Sequence, residues 1–328
     1  MWTTVLLGLP VGLLFGYCLQ RGGFCMNSAL RQVAFERDTR LFKAYLLAVA
    51  IQALVLALLA APLRIEPAVP PVFWAAALGG GFVFGFGMVL ARGCASGNLY
   101  RVGEGLIGAY VVLLSFLLAI LVTESGVLAP LRSALRAPVW NVPGTFDAWL
   151  GVPKLGLALA LGAGVALWIW RGAPGEAPDG RWHWLQTGLA VGLVATVAWI
   201  ASALTGRQFG LSTIQPVSGL GHWLTTADAS GINWSAFVLL TIPLGAAWGG
   251  LQSGQFAWRL PYPTRILQQM GGGVLMGVGG SIAGGCNIGH GLSGMAVFSV
   301  TSLLVMIALA LGCWAGVWLF FLRLKVAR

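Results

Sequence analysis

Several stretches of this chain run for about 20 residues with almost no charge, the length at which a helix spans the hydrocarbon core of a bilayer. Lipid offers no partners to backbone N–H and C=O groups, so such stretches must be helices that satisfy their own hydrogen bonds. Of the 328 residues only 9% are charged and 58% are hydrophobic, whereas a soluble domain carries roughly a quarter charged residues. Soluble classes are excluded, and the expected fold is an all-α polytopic membrane protein embedded in lipid. Nine transmembrane helices are expected, at about 3–20, 41–61, 72–92, 105–124, 153–170, 185–204, 234–252, 270–286 and 297–321. No basic residue precedes the first, so it reads as a retained helix rather than a cleaved signal, and Tyr17 before Cys18 argues against lipidation there.

The net charge of +10 comes from basic residues scattered singly at helix ends, as in cytoplasmic loops, so nucleic acid is not an expected partner. Fourteen of the 19 Lys and Arg fall on one side of the nine-span layout. That bias places the C-terminus in the cytoplasm and the N-terminus outside. Trp182 and Trp184 at the start of a span read as interface anchors, with His183 between them solvated. The basic segment 31–43 reads as a docking surface for an acidic cytoplasmic protein.

Three connections, 21–36, 93–104 and 284–296, are too apolar and glycine-rich for ordinary loops, with 206–224 a weaker fourth. Irregular backbone of this kind belongs inside protein or beside a polar cavity, so these segments are expected to be re-entrant half-helices. Two of them repeat one frame, ARGCASG at 91–97 and AGGCNIG at 283–289, and RGGFCMN at 21–27 is related. Shifting 79–97 by 192 positions onto 271–289 gives nine identities in nineteen, including Ala91/Ala283 and Cys94/Cys286. Gly81/Gly85 and Gly273/Gly277 form matching Gly-x-x-x-Gly pairs, which permit close helix approach. A fainter shift of 185 lays Gly210 over Cys25. The chain is thus expected to be one transporter domain, 1–328, of two pseudo-symmetric units at about 1–125 and 185–328 joined by a linking span at about 153–170. An odd number of crossings between the units makes the halves inverted.

Glycines beside a cysteine let a solute touch both the thiol and the free N–H groups of a helix start, which favour an anion. A thiol adds a soft, weak donor, so the anion expected at Cys25, Cys94 and Cys286 carries exposed sulfur or selenium. Cys18 and Cys313 lack the frame and read as small buried hydrophobes. A soft-metal site using His290 is disfavoured, because no second histidine or Cys-x-x-Cys lies near it. GLSG at 291–294 lacks the later histidine that an intramembrane serine nucleophile requires. Arg101 and Glu104 are either functional intramembrane charges or an ion pair three residues apart. A thiol enzyme would need a base beside a cysteine, and none is visible.

QRGGFCMN, GCASGNLYRVGEG and IAGGCNIGHGL together resemble the three cysteine motifs of the YeeE/YedE sulfur-transport family, in order and over essentially the whole chain. The resemblance implies a nine-span pseudo-symmetric fold, thiosulfate uptake across the bacterial inner membrane without catalysis or cofactor, and a small TusA-like sulfurtransferase as cytoplasmic partner. By motif, Cys286 would be the outer thiol, Cys94 the central one and Cys25 the inner one, with Asn287 beside Cys286. Transport of another sulfur or selenium compound, or a membrane-embedded sulfurtransferase, are the alternatives. The sequence departs from the family's pattern at Arg92, where a small residue is common, and at His290, where another polar residue is frequent.

Overall fold

The computed structural model describes residues 5–60, 62, 65–171, 177, 180–228 and 231–323. Its first helices are α1 (Gly8–Gly22), α2 (Met26–Arg31), α3 (Arg40–Leu59), α4 (Trp74–Leu90), α5 (Ala95–Gly103), α6 (Ile107–Glu124) and α7 (Ala129–Arg136). There follow α8 (Phe146–Leu150), α9 (Lys154–Arg171), α10 (Trp184–Ala203), α11 (Ile214–Thr226), α12 (Trp234–Gln252), α13 (Pro263–Ala283) and α14 (Val300–Val317). A wider-pitched π segment, Asn287–Gly294, links α13 to α14. The fold is all-helical, and among the described residues the only extended pairings are isolated bridges such as Thr145 to Ser299.

Among the described residues seven helical stretches are long and apolar enough to cross a membrane: α3, the stretch Trp74–Gly103 that holds α4 and α5, α6, α9, α10, α12 and α14. Two of the nine expected spans fall outside that set. α1 has 15 described residues. α13 opens with Thr264, Arg265, Gln268 and Gln269 and is rich in glycine, so its hydropathy is diluted. Both pack against several neighbours, α1 on α10 and α12, α13 on α4 and α6.

Packing is reciprocal. α1 lies on α12 as α10 lies on α3, and α4 lies on α14 as α13 lies on α6. At the α4–α13 contact, a side chain on Gly80 would strike Gly279 and Ala283, while one on Gly272 would strike Gly87 and Ala91. Gly85 likewise abuts the backbone of Leu309 and Cys313, as Gly277 abuts Phe116 and Ile120. Both Gly-x-x-x-Gly pairs therefore sit where helices meet backbone to backbone, held by van der Waals packing. Gly85→Leu is expected to eliminate most of the monodisperse protein in a size-exclusion profile. Gly79→Ala, where nothing lies within 4 Å of the added carbon, should elute like the parent.

The segments connecting long helices are the most enclosed parts of the chain. All eight residues of Asn287–Gly294 are buried, as are all of α5 except Arg101, and Met26, Asn27, Ala29 and Leu30 of α2. Backbone so deep must find its partners within protein. α9, by contrast, lies on α3 at the periphery and buries only Ala158 and Val165. The connection 126–150 forms α7 and α8, and α7 aims Arg132 and Arg136 at the last carbonyls of α13, donating to Ser281 O and Ile282 O at 3.1 Å each. These satisfy groups that a helix end leaves open. Trp184 is not an interface anchor: it is buried, with Lys43 Nζ 5.7 Å from its ring. His183 caps α10, its Nδ1 accepting from Leu185 N at 3.3 Å.

Candidate functional site

Four helix starts converge inside the protein, each headed by a thiol or hydroxyl. Cys25 is the N-cap of α2, Cys94 of α5, Thr213 of α11 and Cys286 of the π segment. An N-cap side chain can reach the free N–H groups of the first turn. Cys94 Sγ accepts from Gly97 N at 3.4 Å and Cys286 Sγ from Ile288 N at 3.2 Å.

The two glycine frames are joined through side chains. Cys25 Sγ lies 3.5 Å from Cys94 Sγ, and Cys94 Sγ lies 3.1 Å from Ser96 Oγ. Asn287 Nδ2 donates to that hydroxyl at 3.3 Å, and next to Asn287 in the chain the Thr213 hydroxyl donates to Cys286 Sγ at 2.8 Å. Asn287 Oδ1 is buried without a partner, an opening for a polar guest in the middle of the line. All five cysteines are free thiols. Cys18 and Cys313 are buried, and Cys313 Sγ donates to Asn27 Oδ1, in the frame of Cys25, at 3.4 Å.

Thr213 heads α11 and donates to Cys286, as Cys25 heads α2 and touches Cys94; the two lie 188 positions apart, whereas the fainter alignment, at 185, lays Gly210 over Cys25.

The line is flanked by cavities. One of about 360 Å³ lies toward α7 and is bordered by Arg136, Ser212, Gly285, Gly289 and His290. Two lie beyond the Cys25–Cys94 end, of about 550 and 280 Å³, and Ser28 and Arg101 border both. No cysteine lines any of the three, and the exposures of Cys25, Cys94 and Cys286 are 2%, 0% and 0%. The three thiols are therefore closed off from all three cavities.

The remaining candidates fall around this line. Arg101 donates to the carbonyl of Arg92 and does not pair with Glu104. Glu104 is the C-cap of α5. It instead accepts from Gln20 Nε2 at 3.1 Å and pairs with Arg181 Nη2 at 3.4 Å. His290 Nδ1 is 3.0 Å from Ser302 Oγ and its Nε2 3.3 Å from Ala283 O, so both ring nitrogens are engaged within the protein. Among the described residues no three His, Cys, Asp or Glu side chains group as a metal site would require. Sequence reasoning missed Thr213, Ser96 and Arg136. Ser96 lies inside the quoted frame, Thr213 inside the weakest re-entrant segment, and Arg136 in a connection with no motif.

The sulphur transport family matches residues 21–315. The thiosulfate transporter TsuA of Spirochaeta thermophila is 35% identical over 98% of this chain and 100% of its own length. The thiosulfate transporter TsuA of Escherichia coli K12 is 33% identical over 98% of this chain and 96% of its own length. A probable transporter, YedE of the same strain, is 36% identical over 30% of this chain and 24% of its own length. With its buried cysteine frames, its seven apolar helices and this breadth of similarity, the chain belongs to the sulphur transport family of multi-pass membrane transporters.

Proposed function

We propose that this protein carries thiosulfate inward across a bacterial inner membrane, along the line Cys286, Asn287, Ser96, Cys94 and Cys25. The observation that carries the reading is that line itself: N-cap thiols in contact through hydroxyl and amide groups, closed off between two cavities. A thiol can donate to the charged terminal sulfur of thiosulfate and release it without a covalent bond. A 3.5 Å sulfur–sulfur contact leaves no room for an anion between Cys25 and Cys94, so passage requires the two helix starts to part. Thiosulfate is the substrate in the names of two relatives spanning nearly the whole chain. A different sulfur or selenium anion would use the same groups. Growth of a cysteine-requiring, transport-deficient bacterium on thiosulfate, with and without this gene, tests the assignment. Rescue by a sulfonate but not by thiosulfate would redirect it.

In this reading the fold has nine crossings in two inverted halves, about 1–125 and 185–328, with re-entrant helices at α2, α5, α11 and the π segment. The reciprocal packing and the matched glycine contacts support it. The cytoplasmic side is then that of Arg31, Arg101 and Arg181, and the α7 end is outside. A small TusA-like sulfurtransferase would take the anion at the cytoplasmic mouth. In segment 31–43 Arg31 pairs with Glu36 at 3.1 Å, Arg40 with Asp38 at 2.7 Å, and Lys43 is buried over Trp168, so the exposed Arg37 is the cation outside these contacts. Hydrogen bonding from Arg40 holds the Asp38 carboxyl below its ordinary pKa.

Thr213 should matter to flux because it orients the outer thiol. Thr213→Ala is expected to slow thiosulfate uptake severalfold with normal yield of protein. Thr213→Cys, which rebuilds the sulfur–sulfur contact of the other half, should restore most of the rate. Equal rates in all three proteins would leave Thr213 without a role in transport.

A further inference from the structure

The cavity of about 550 Å³ at the cytoplasmic mouth is bordered by Arg31, Arg92, Arg101, Arg259 and Arg265, and by no carboxylate. Of the five, only Arg31 lies within ion-pair distance of a described carboxylate, that of Glu36. Arg101 spends a donor on the Arg92 carbonyl and Arg259 one on Gln255 O, at 2.8 Å. Arg92 Nε is buried with no partner at all. Like charges do not gather around one space without a penalty, which an anion held between them removes.

Simple sidedness of basic residues does not account for Arg92. Its backbone is left-handed, at φ 57°, a conformation that suits glycine. The position 192 residues later, at the same turn of the other half, is Gly284, at φ 85°. One half therefore follows the backbone's preference and the other sets an arginine against it, pointing into the cavity. The opposite cavity has a single arginine, Arg136.

We propose that this cavity is a second anion site, separate from the cysteine line, that holds a doubly charged tetrahedral oxyanion of the sulfate or phosphate type. Guanidinium groups match such oxygens two at a time. The soft end of a sulfur anion is not needed there, so sulfate, which the thiols have no reason to prefer, is a ligand. An occupied site sits beside Arg101 and the exit from Cys25, where cytoplasmic oxyanions would compete with the released substrate. The assignment does not rest on thiosulfate being the cargo, and its failure would leave the cysteine line as described.

The test is equilibrium binding of radiolabelled inorganic sulfate to the full-length protein in nanodiscs of neutral lipid at low ionic strength. Saturable binding is expected. The double variant R92Q/R265Q should weaken it at least tenfold, while Cys94→Ser should bind sulfate like the parent. If the double variant does not fold, Arg265→Gln alone, at the start of α13, should weaken binding severalfold. Discs containing anionic lipid separate two sources of the same chemistry. Unchanged binding there assigns the site to free oxyanions, and weaker binding that is sensitive to the same arginines assigns it to a lipid phosphate in competition. Absence of saturable binding in neutral discs, binding indifferent to both arginine variants, or loss of binding in Cys94→Ser would each overturn the proposal.

Discussion

Cys94→Ser is expected to yield a folded protein whose thiosulfate uptake is at least about tenfold below the parent, the equivalent of roughly 1.4 kcal/mol in a limiting step. The Cys94 sulfur is the most connected atom on the line, touching Cys25 Sγ, Met26 N, Ser96 Oγ and Gly97 N at 3.1 to 3.5 Å. Serine is a good N-cap, so α5 should keep its start and the fold its packing. The hydroxyl is shorter and harder than the thiol. It cannot span the gap to Cys25 or offer a polarizable contact to a terminal sulfur. The control is Cys18→Ala, on α1 and 5% exposed, which borders neither the line nor the cavities and should transport normally. Uptake of labelled thiosulfate by cells expressing equal amounts of each protein measures both. Parental uptake by Cys94→Ser would end the thiol-path mechanism, whatever the fold.

The long apolar helices and the frame around Cys94 and Cys286 were legible because each rests on local composition: hydropathy over twenty residues, or glycines beside a cysteine. α13 carries a weaker signal, because Thr264, Arg265, Gln268 and Gln269 open it and its glycines dilute the hydropathy. Tertiary partnership was the least legible. Glu104 is three residues from Arg101, yet Arg181, which precedes α10, is its partner. Thr213 and Cys25 are related by a shared N-cap position and by the contact each makes with a frame cysteine, not by side-chain likeness. Trp184 looked like an interface residue by its place in the sequence, and was buried by the approach of α3. In each case the deciding contact lies far away along the chain, where neither periodicity nor spacing carries a signal.

Purified protein in sealed vesicles, with a negative interior and no partner protein, is expected to exchange thiosulfate without accumulating it. A dianion moving inward against 100 mV climbs roughly 4.6 kcal/mol. Uncoupled movement would then settle on the order of a thousandfold below the outside concentration. Either protons travel with the anion or something consumes it at the inner mouth. The two carboxylates best placed to carry protons are already engaged. Glu104, 4% exposed, holds Arg181 and Gln20, and Glu124 pairs with Arg132 at 3.7 Å while accepting from Ser218. Releasing either to shuttle a proton would leave an arginine without its partner carboxylate. On the proposed function, consumption is the favoured route: a sulfurtransferase removing thiosulfate at the cytoplasmic mouth would keep its local concentration low and pull net flux inward. Adding such an enzyme and its thiol acceptor inside the vesicles should convert exchange into sustained uptake. Accumulation without the enzyme, abolished when a proton gradient is collapsed, would reverse the conclusion, and Glu104→Gln would then be the first variant to lose it.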